Sequence, residues 1–475
     1  MRVYELAVLI VLGALAACSL SPEYRRPAVP TPAAWSEPVV NVAPALMPIA
    51  AVGSPSAWPD AAWWQGFRTP ALSVLVEIAR RNNADLEAAL ARIVQADAQV
   101  RVAGAGLWPV LDASVEAGRD WRNAGRGLNG SMSYGAALTA NYQVDLFGGI
   151  RAGVDAARIA AELSRFDREA VALSVVSGVA VTYFQVLQFR NRLTVAERNL
   201  EIAESVLRLV ETRVREGAAS PLDLYQQRTA VAGQRAALPS LRTQERQAIN
   251  ALSTLLGEVP GIVALDDAWL LEIAPPSVAP GLPSELLNRR PDIRTAEARL
   301  QVANAQIGVA RAAYFPTVEL TGRDGYASTV LSGLFDPLGT TYGLAAGIAQ
   351  TVFDGGRRDG QVDVAKARQD ELIAAYRQSV LVAFADVEDA LTAAANAETR
   401  EALQLDAVEQ AREAYRLAEA RYREGATDLL AVLDAQRSLY QAEDQVVQSR
   451  FERLQAAVDL FSALGGGWAT GGGSF

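Results

Sequence analysis

The sequence predicts a mixed α/β membrane protein built from two repeats, in which short strands join a β-barrel and very long helices continue it on one side. Three observations predict this fold class. The chain repeats its pattern at an offset of 208 residues. Each repeat carries two segments that alternate polar and apolar residues, and each carries one nearly unbroken helical segment.

Two helix tips show the repeat most clearly. Around Gly425, apolar residues recur at alternating spacings of three and four, the pattern of helices packed lengthwise on one another. A shift of 208 residues leads to Gly217, which is flanked by the same pattern. Each glycine is therefore predicted to end a helix at the tip of a long antiparallel hairpin. The apolar positions at the second tip are Val408, Ala411, Tyr415, Ala418, Tyr422, Val432, Ala435, Leu439, Ala442 and Val446.

The composition excludes several classes of function. The net charge of −10 argues against a nucleic-acid-binding protein, which is normally basic. The 475 residues include no histidine, the commonest general base and metal ligand. There is also no nucleophile elbow, phosphate-binding loop or cluster of metal ligands, so we expect no enzyme and no metal. No continuous apolar run reaches about 18 residues, so no transmembrane helix is expected.

The N-terminus indicates export and lipidation. Residues 1–17 are predicted to be a signal peptide, and Leu15-Ala16-Ala17-Cys18 resembles a bacterial lipobox. Cys18 would then carry a covalent lipid, the only attached group that we expect. Ser19 follows it instead of an aspartate, which in this signal class indicates release to the outer membrane. The alternative is an ordinary signal peptide with an incidental cysteine. Residues 18–64, rich in proline and alanine, are predicted to form an extended arm.

The first repeat is assigned to residues 65–257. A helical face runs from Pro70 to about Ala105, and a β-hairpin follows at 110–146. The predicted strands are 110–121 and 134–146, with a polar, glycine-rich loop between them. After a glycine turn come the long helix, 150–216, and the return helix, 222–256.

The second repeat, 284–464, follows a proline-rich connector at 258–283 that would form the equatorial region. Ser284 is expected to cap its first helix, and Pro291-Asp292 suits the first turn of the next. The remaining elements are a β-hairpin at 317–353 with strands 317–326 and 342–353, a long helix at 357–424, a return helix at 426–464 and a disordered tail at 465–475.

Each predicted strand has about 10–12 residues, the length of a tilted transmembrane β-strand. A sheet that spans lipid must close, because unpaired edges cannot be hydrogen-bonded there. Four strands are too few to enclose a pore, so several chains must each contribute four strands to one barrel. The charged helices would project from the membrane and continue the pore as a tunnel.

Four motifs resemble those of TolC-like outer-membrane factors, in the lipoprotein (NodT-type) subgroup that serves efflux pumps of the resistance-nodulation-division class. They are CSLSPEYRRPAVPTPAAW after the signal, LPSELLNRRPDIRTAEARL at Leu282–Leu300, the Phe-Asp-Gly-Gly turn at Phe353–Gly356, and YREGATDLLAVLDAQRSL at the second tip. The resemblance spans essentially the whole mature chain.

The resemblance implies a homotrimer whose 12-stranded outer-membrane barrel leads into a periplasmic α-helical barrel. It implies a passive exit duct for drugs, toxic organic molecules or metal ions, anchored by outer-membrane lipid. The duct would dock on a periplasmic adaptor protein and an inner-membrane pump of the resistance-nodulation-division class.

The second tip differs from the first in its chemistry, and the resemblance gives this difference a function. Asp434 and Leu430 would narrow the periplasmic mouth, while Arg437 and Tyr422 would hold the helices closed. The alternative is that Asp434 and Arg437 form only a solvated pair on one helix face.

Both tips share an Arg-Glu-Gly triplet. Its glycine is first explained as a helix terminator, and docking of the adaptor is the added hypothesis, which rests on the family alone. The triplet residues are Arg215, Glu216, Gly217, Arg423, Glu424 and Gly425.

Two other functions compete with efflux. A periplasm-spanning coiled-coil lipoprotein without a pore would have the helices but no need of amphipathic hairpins. An exit duct for type I protein secretion would share the fold, but the lipobox and the LPSELLNRRPDI stretch favour efflux by resemblance.

Overall fold

The computed structural model describes residues 20–36, 61–123, 128–261, 265, 268–278 and 280–468. The signal peptide, Cys18 and the end of the predicted tail lie outside the described residues. In chain order the helices and strands are α1 (Pro70–Asn82), α2 (Ala84–Ala105), β1 (Val110–Asn123), β2 (Leu128–Val144), α3 (Gly149–Arg215), α4 (Pro221–Leu255), α5 (Pro283–Arg289), α6 (Pro291–Ala312), β3 (Thr317–Ser328), β4 (Thr340–Ala349), α7 (Arg357–Arg423) and α8 (Leu429–Ala463).

The two repeats match residue for residue in their long helices. Both α3 and α7 have 67 residues, and both α4 and α8 have 35. The same backbone motif ends both long helices. At Gly217 (φ +75°) and Gly425 (φ +74°) the chain turns left-handed, a conformation that glycine adopts without a steric penalty. The following amide N–H groups bond back to the last turn, as in a Schellman motif.

Side-chain caps fix the starts of the return helices. Ser220 and Asp223 form a reciprocal capping box at α4, with Pro221 in the first turn. Asp428 caps α8 through a 3.1 Å bond from the Ala431 amide. The expected cap at Ser284 is wrong, because α5 begins at Pro283 and its N-cap position, Leu282, offers no side-chain bond.

The structure divides the first predicted helix in two. Asn83 lies between α1 and α2, where its side-chain oxygen accepts hydrogen bonds from the amides of Asp85 and Leu86. Its amide group donates to the carbonyl of Leu255 at 2.8 Å. Asn83 therefore caps α2 and ties it to the end of α4.

The strands of the first hairpin extend further into the predicted loop than expected, although the second strand ends at Val144 and not at 146. Strands β1 and β2 stay paired up to Asn123 opposite Leu128, so most of the stretch assigned to a loop continues the ladder. In the second hairpin, β4 ends at Ala349 and residues 350–353 lie outside the strand. These bounds follow the backbone hydrogen bonds and not the alternation of apolar residues. Arginine and aspartate can continue an exposed strand beyond the last residue of the apolar pattern.

The predicted disordered tail is wrong over its first part. Residues 465–468 are described, and the Trp468 indole donates a hydrogen bond to the carbonyl of Arg289. Its ring also meets Phe166 edge to face at 5.9 Å. These contacts hold the chain after α8.

The chain divides into two compact units. One comprises Met1–Ala28, Ala91–Arg165 and Thr295–Gln378 and contains the sheet. The sheet is antiparallel throughout, in the order β1-β2-β3-β4. Its register pairs Val110 with Asn141, Tyr134 with Ser328 and Thr317 with Ala349.

An N-terminal arm lies along α6 in this unit. Ser21 occupies the space over Gly308, where a Cβ would lie only 2.0 Å from the serine hydroxyl oxygen. Arg26 forms a bidentate pair with Glu297, with both N–O distances at 2.7 Å, and Tyr24 donates to the same carboxylate at 3.3 Å. The arm is therefore held by a carboxylate whose side chain is only 6% exposed.

The other unit comprises Val29–Leu90, Phe166–Arg294 and Ser379–Phe475. Its largest core cluster joins aromatic residues from the segment before α1 to side chains of α3 and α8. Helix α3 contains a stretch apolar enough to cross a membrane by length and composition, but more than half of that stretch is buried in the chain. Burial of this kind is what a core helix shows. The fully buried residues of α3 include Val179, Tyr183, Phe184 and Leu187.

Replacing Arg26 with alanine should release the arm, because Glu297 would keep a buried charge with fewer partners. We expect a loss of about 2 kcal/mol in the local free energy of opening. Hydrogen exchange of the amides in residues 20–26 measures it. Arg25→Ala is the matched control, since the Arg25–Glu23 pair is almost fully exposed. Equal exchange in the two variants would contradict a structural role for the Arg26–Glu297 pair.

Candidate functional site

The sheet has one apolar and one polar face. Because the strands pair in the register given above, alternate residues of all four strands share a face. The apolar face consists of Leu111, Ala113, Val115, Ala117, Tyr134, Ala136, Leu138, Ala140, Tyr142, Val318, Leu320, Tyr342, Leu344, Ala346 and Ile348, with Arg119 and Asp324 at its loop end. The polar face consists of Asp112, Ser114, Glu116, Asp120, Ser131, Ser133, Thr139, Asn141, Gln143, Glu319, Thr321 and Arg323, together with small residues.

Aromatic side chains mark both ends of the apolar face. At the loop end lie Tyr134, Tyr326 and Tyr342, and at the helix end lies Tyr142. Tyr134 and Tyr142 are eight positions apart on β2, or about 26 Å along an extended strand. Transmembrane barrels carry an apolar band about 25 Å tall between two aromatic girdles. Because strands of such barrels tilt by about 35–45°, about 26 Å along the strand covers about 20 Å of that height. The apolar face therefore has the composition of a lipid-facing surface and covers most of its height.

The polar face has the composition of a wet pore lining. Asp112, Glu116, Asp120 and Glu319 carry negative charge, and Arg323 carries positive charge. A sheet that is apolar on one side and charged on the other is typical of a barrel around water.

Both outer strands of the sheet are open. Within the described residues, β1 pairs only with β2, and β4 pairs only with β3. Every residue of β4 is exposed, with Leu344 at 95%. Two rows of backbone donors and acceptors are thus left for other strands.

The helix tips form the second candidate region. Four helices meet there in a tip cluster, which consists of the buried residues Val206, Val210, Tyr415, Tyr422, Leu429, Val432, Leu439 and Tyr440. Helix α3 contributes the first two, α7 the next two and α8 the rest, and Leu224 of α4 packs on the edge. The first and second hairpins therefore share one small core at their tips.

Tyr422 lies inside the tip cluster and is 4% exposed. Its hydroxyl has no hydrogen-bond partner among the described residues, and burial raises the pKa of its phenol. The guanidinium of Arg213, on α3, lies 4.6 Å from the centre of the tyrosine ring and donates to the Tyr422 carbonyl. This contact joins the first hairpin to the last turn of α7 by a cation–π interaction and a charge-assisted hydrogen bond.

Asp434 and Arg437 form an ion pair on α8, at 3.0 Å and with side chains 58% and 70% exposed. Leu430, one turn earlier, is 56% exposed. All three project away from the tip cluster, whereas Tyr422 lies within it. The structure thus separates the four predicted gate residues into an exposed group of three and one buried ring.

The residues of both Arg-Glu-Gly triplets are exposed. Arg423 pairs with Glu419 one turn earlier, at 2.6 Å. The two glycines end α3 and α7, as the backbone motif requires. The triplets are therefore accessible, and the role of their glycines as helix terminators is in place.

Sequence reasoning missed Arg213 and a buried polar chain behind the tip. Gln436 donates to the hydroxyl of Tyr440, which donates to the carbonyl of Asn199 at 2.7 Å. Burial raises the pKa of the Tyr440 phenol. The available signal was Gln436 alone, a polar residue four positions after the seam residue Val432 and three before Leu439.

Comparison with known proteins decides the family. The model of the family described as outer membrane efflux protein matches residues 75–258 and 282–466. The chain belongs to this family. The two matched ranges follow the two repeats, so each repeat corresponds to one unit of the efflux-protein pattern.

Relatives are similar along almost the whole efflux protein. The pyoverdine export outer membrane protein OpmQ of Pseudomonas putida is 41% identical over 98% of this chain and 97% of its own length. The outer membrane protein OprJ of Pseudomonas aeruginosa is 35% identical over 98% and 97%. The crystal structure of the open state of the Neisseria gonorrhoeae outer membrane channel MtrE is 31% identical. It covers 95% of this chain and 98% of its own, with a TM-score of 0.83.

These similarities confirm the predicted family, fold class, function and location. The efflux protein has the mixed α/β fold of outer-membrane channels and serves efflux across the outer membrane. The two competing functions, a spacer without a pore and a protein-secretion duct, are not those of the relatives.

Leu344→Arg should impair insertion into the membrane, because Leu344 lies near the middle of the apolar face. Arginine at the bilayer midplane of a barrel costs about 2–4 kcal/mol. Urea unfolding of the protein in lipid vesicles measures the loss. Thr341→Arg is the control on the same strand, since Thr341 lies on the polar face. Equal losses would contradict the assignment of the faces.

Arg213→Ala should loosen the second tip by about 1–2 kcal/mol, through loss of its bond to the Tyr422 carbonyl. Faster hydrogen exchange at Gly425 and Ala426, whose amides bond to the last turn of α7, reports it. Arg215→Ala, an exposed change of the same charge, should leave these amides unchanged. If both variants accelerated hydrogen exchange at these amides equally, the effect would come from the lost charge and not from the contact of Arg213 with Tyr422.

Proposed function

We propose that three copies of this chain close one 12-stranded barrel and form a passive exit duct for small molecules. The observation that carries the proposal is the four-stranded sheet with an apolar face, a polar face and two open edges. Lipid demands that both edges be paired, and β1 of one protomer beside β4 of the next pairs them all. Three protomers reach twelve strands, above the eight that enclose the smallest barrels.

The duct is gated at the helix tips. Asp434 and Leu430 are free to point into the mouth because they are exposed on α8. Three Asp434 carboxylates would form an acidic ring, and three Leu430 side chains an apolar one. Arg437 holds Asp434 in place, while Tyr422 fixes α7 within the tip cluster. The gate opens by the separation of helices at these tips.

The partners are a periplasmic adaptor protein and an inner-membrane pump of the resistance-nodulation-division class. Support comes from the resemblance to efflux ducts and from the exposure of both Arg-Glu-Gly triplets at the tips. Arg215, Glu216, Arg423 and Glu424 offer charges of both signs to an adaptor.

A lipid on Cys18 anchors the duct. Support comes from the lipobox and from the arm that follows it. Leu20 accepts a hydrogen bond from Arg311, near the end of α6 and six residues before β3 begins. Leu20, two residues after Cys18 in the sequence, is thus held close to the start of β3.

The duct is not an enzyme and binds no cofactor beyond this lipid. Its cargo is set by the pump rather than by the duct. The names of the relatives refer to export of pyoverdine, toluene and antibiotics, which share little chemistry. A polar lining suits passage of all of them without a specific site.

Single-channel conductance in a planar bilayer tests the duct and its gate. We expect purified trimers to show a small, steady conductance that rises several-fold in Asp434→Ala plus Arg437→Ala, because that variant removes the acidic ring and its support. Glu413→Ala plus Arg416→Ala is the matched control, an exposed ion pair at the same spacing on α7.

Equal conductance in wild type and the Asp434 variant would remove these residues as the gate but keep the duct. No conductance from folded trimers would overturn the duct itself. If conductance rose as much in the control variant as in the Asp434 variant, the effect would come from general loss of helix stability and not from the gate.

A further inference from the structure

The contact of Arg213 with Tyr422 joins the first hairpin to the second, and the repeat provides an equivalent of each partner. Arg421 stands 208 residues after Arg213, and Val214 stands 208 residues before Tyr422. Arg421 is therefore the residue of the second hairpin that is equivalent to Arg213. Val214 lies in the last turn of α3, where Tyr422 lies in that of α7.

The exposed side chain of Arg421 has no hydrogen bond or ion pair among the described residues. Arg213, by contrast, is half-buried over a ring and a carbonyl. The equivalent acceptor is also open. The Val214 carbonyl accepts one bond from Gly217, as the Tyr422 carbonyl does from Gly425, and a carbonyl has a second lone pair.

We infer that Arg421 of one protomer binds the last turn of α3 in the next protomer, at the Val214 carbonyl, as Arg213 binds the last turn of α7 within one chain. The inference rests on the proposed trimer. The three chains would place six hairpins of equal helix length in a closed ring, in which first and second hairpins alternate. Each contact between the first and second hairpin of one chain is then followed by a contact between that second hairpin and the first hairpin of the next chain.

The two contacts differ in one respect. Within a chain, the arginine meets both a carbonyl and the ring of Tyr422. Between chains it meets the carbonyl and the aliphatic side chain of Val214, with no ring. A cation binds more weakly without the aromatic face. The junctions between protomers are therefore the weaker ones, and the ring of tips opens there first.

The arginines also suit the charge of the helix ends. The last carbonyls of a helix carry partial negative charge, and a guanidinium placed there is stabilised. The last turn of α3, residues 212–215, contains no carboxylate, and the exposed Glu216 that follows it directly is the competing acceptor.

The test is a double-mutant cycle on conductance. Arg421→Ala should raise the open fraction about fivefold, the effect of losing one charge-assisted hydrogen bond per junction. Val214→Tyr should lower the open fraction below that of wild type, because it supplies the missing ring. In Val214→Tyr with Arg421→Ala, the benefit of the tyrosine should vanish. Arg416→Ala is the control of equal charge, at an exposed position five residues before Arg421 on the same helix.

Cross-linking tests the contact without a pore. In a Cys18→Ser background, cysteines at Arg421 and Ala218 treated with a short bismaleimide should give covalent dimers and trimers. Products that are only cross-linked monomers would overturn the contact between protomers. So would an Arg421→Ala conductance equal to wild type, or a Val214→Tyr effect that persists without Arg421. The wild-type conductance distinguishes these outcomes from failure of the proposed duct. If the wild-type protein does not conduct, the duct itself is contradicted; if it conducts, the results above test the Arg421 contact.

Discussion

A backbone N–H or C=O group in the hydrocarbon core of a membrane needs a partner, and this requirement governs the rest of the molecule. One chain pairs the inner edges of four strands and leaves the outer edges of β1 and β4 open. The missing partners must come from other copies, so closure of the sheet and assembly of the protein are the same event. Helices attached to those strands are then brought into one ring by the strands they follow.

In the proposed ring of tips, duplication with small differences gives unequal contacts between neighbouring hairpins. The long helices end at the same residue of each repeat because glycine takes the same left-handed turn in both. Because α3 and α7 have equal lengths, as do α4 and α8, the two hairpins have their tips at corresponding residues. The difference between Tyr422 and Val214 then decides how firmly neighbouring tips are joined, although the backbone of the two is alike.

Local signals predicted the elements, and contacts between distant residues could not be predicted. Heptad spacing and Gly217 and Gly425 gave the hairpins, and alternation gave the strands. The contact of Arg213 with Tyr422 has no local signal, because its partners are 209 residues apart. The pair Arg190–Glu245 occurs again in the second repeat as Glu398–Arg453, with the signs reversed, so comparing the repeats by residue identity hides it. The disordered tail was predicted from its glycines, which cannot reveal the packing of Trp468 on Phe166.

The charged groups of this protein are almost all arginine, aspartate and glutamate; Lys366 is the single lysine, and there is no histidine. Arginine stays protonated at any biological pH, and ordinary carboxyl groups have lost their protons above about pH 5.5. Buried tyrosines behind the tips have pKa values raised further, to about 12 for Tyr415. None of the side-chain types present therefore has an ordinary pKa between about 5 and 8. The contacts that hold the tips together are thus built without histidine, the side chain that usually makes a contact respond to pH in that range.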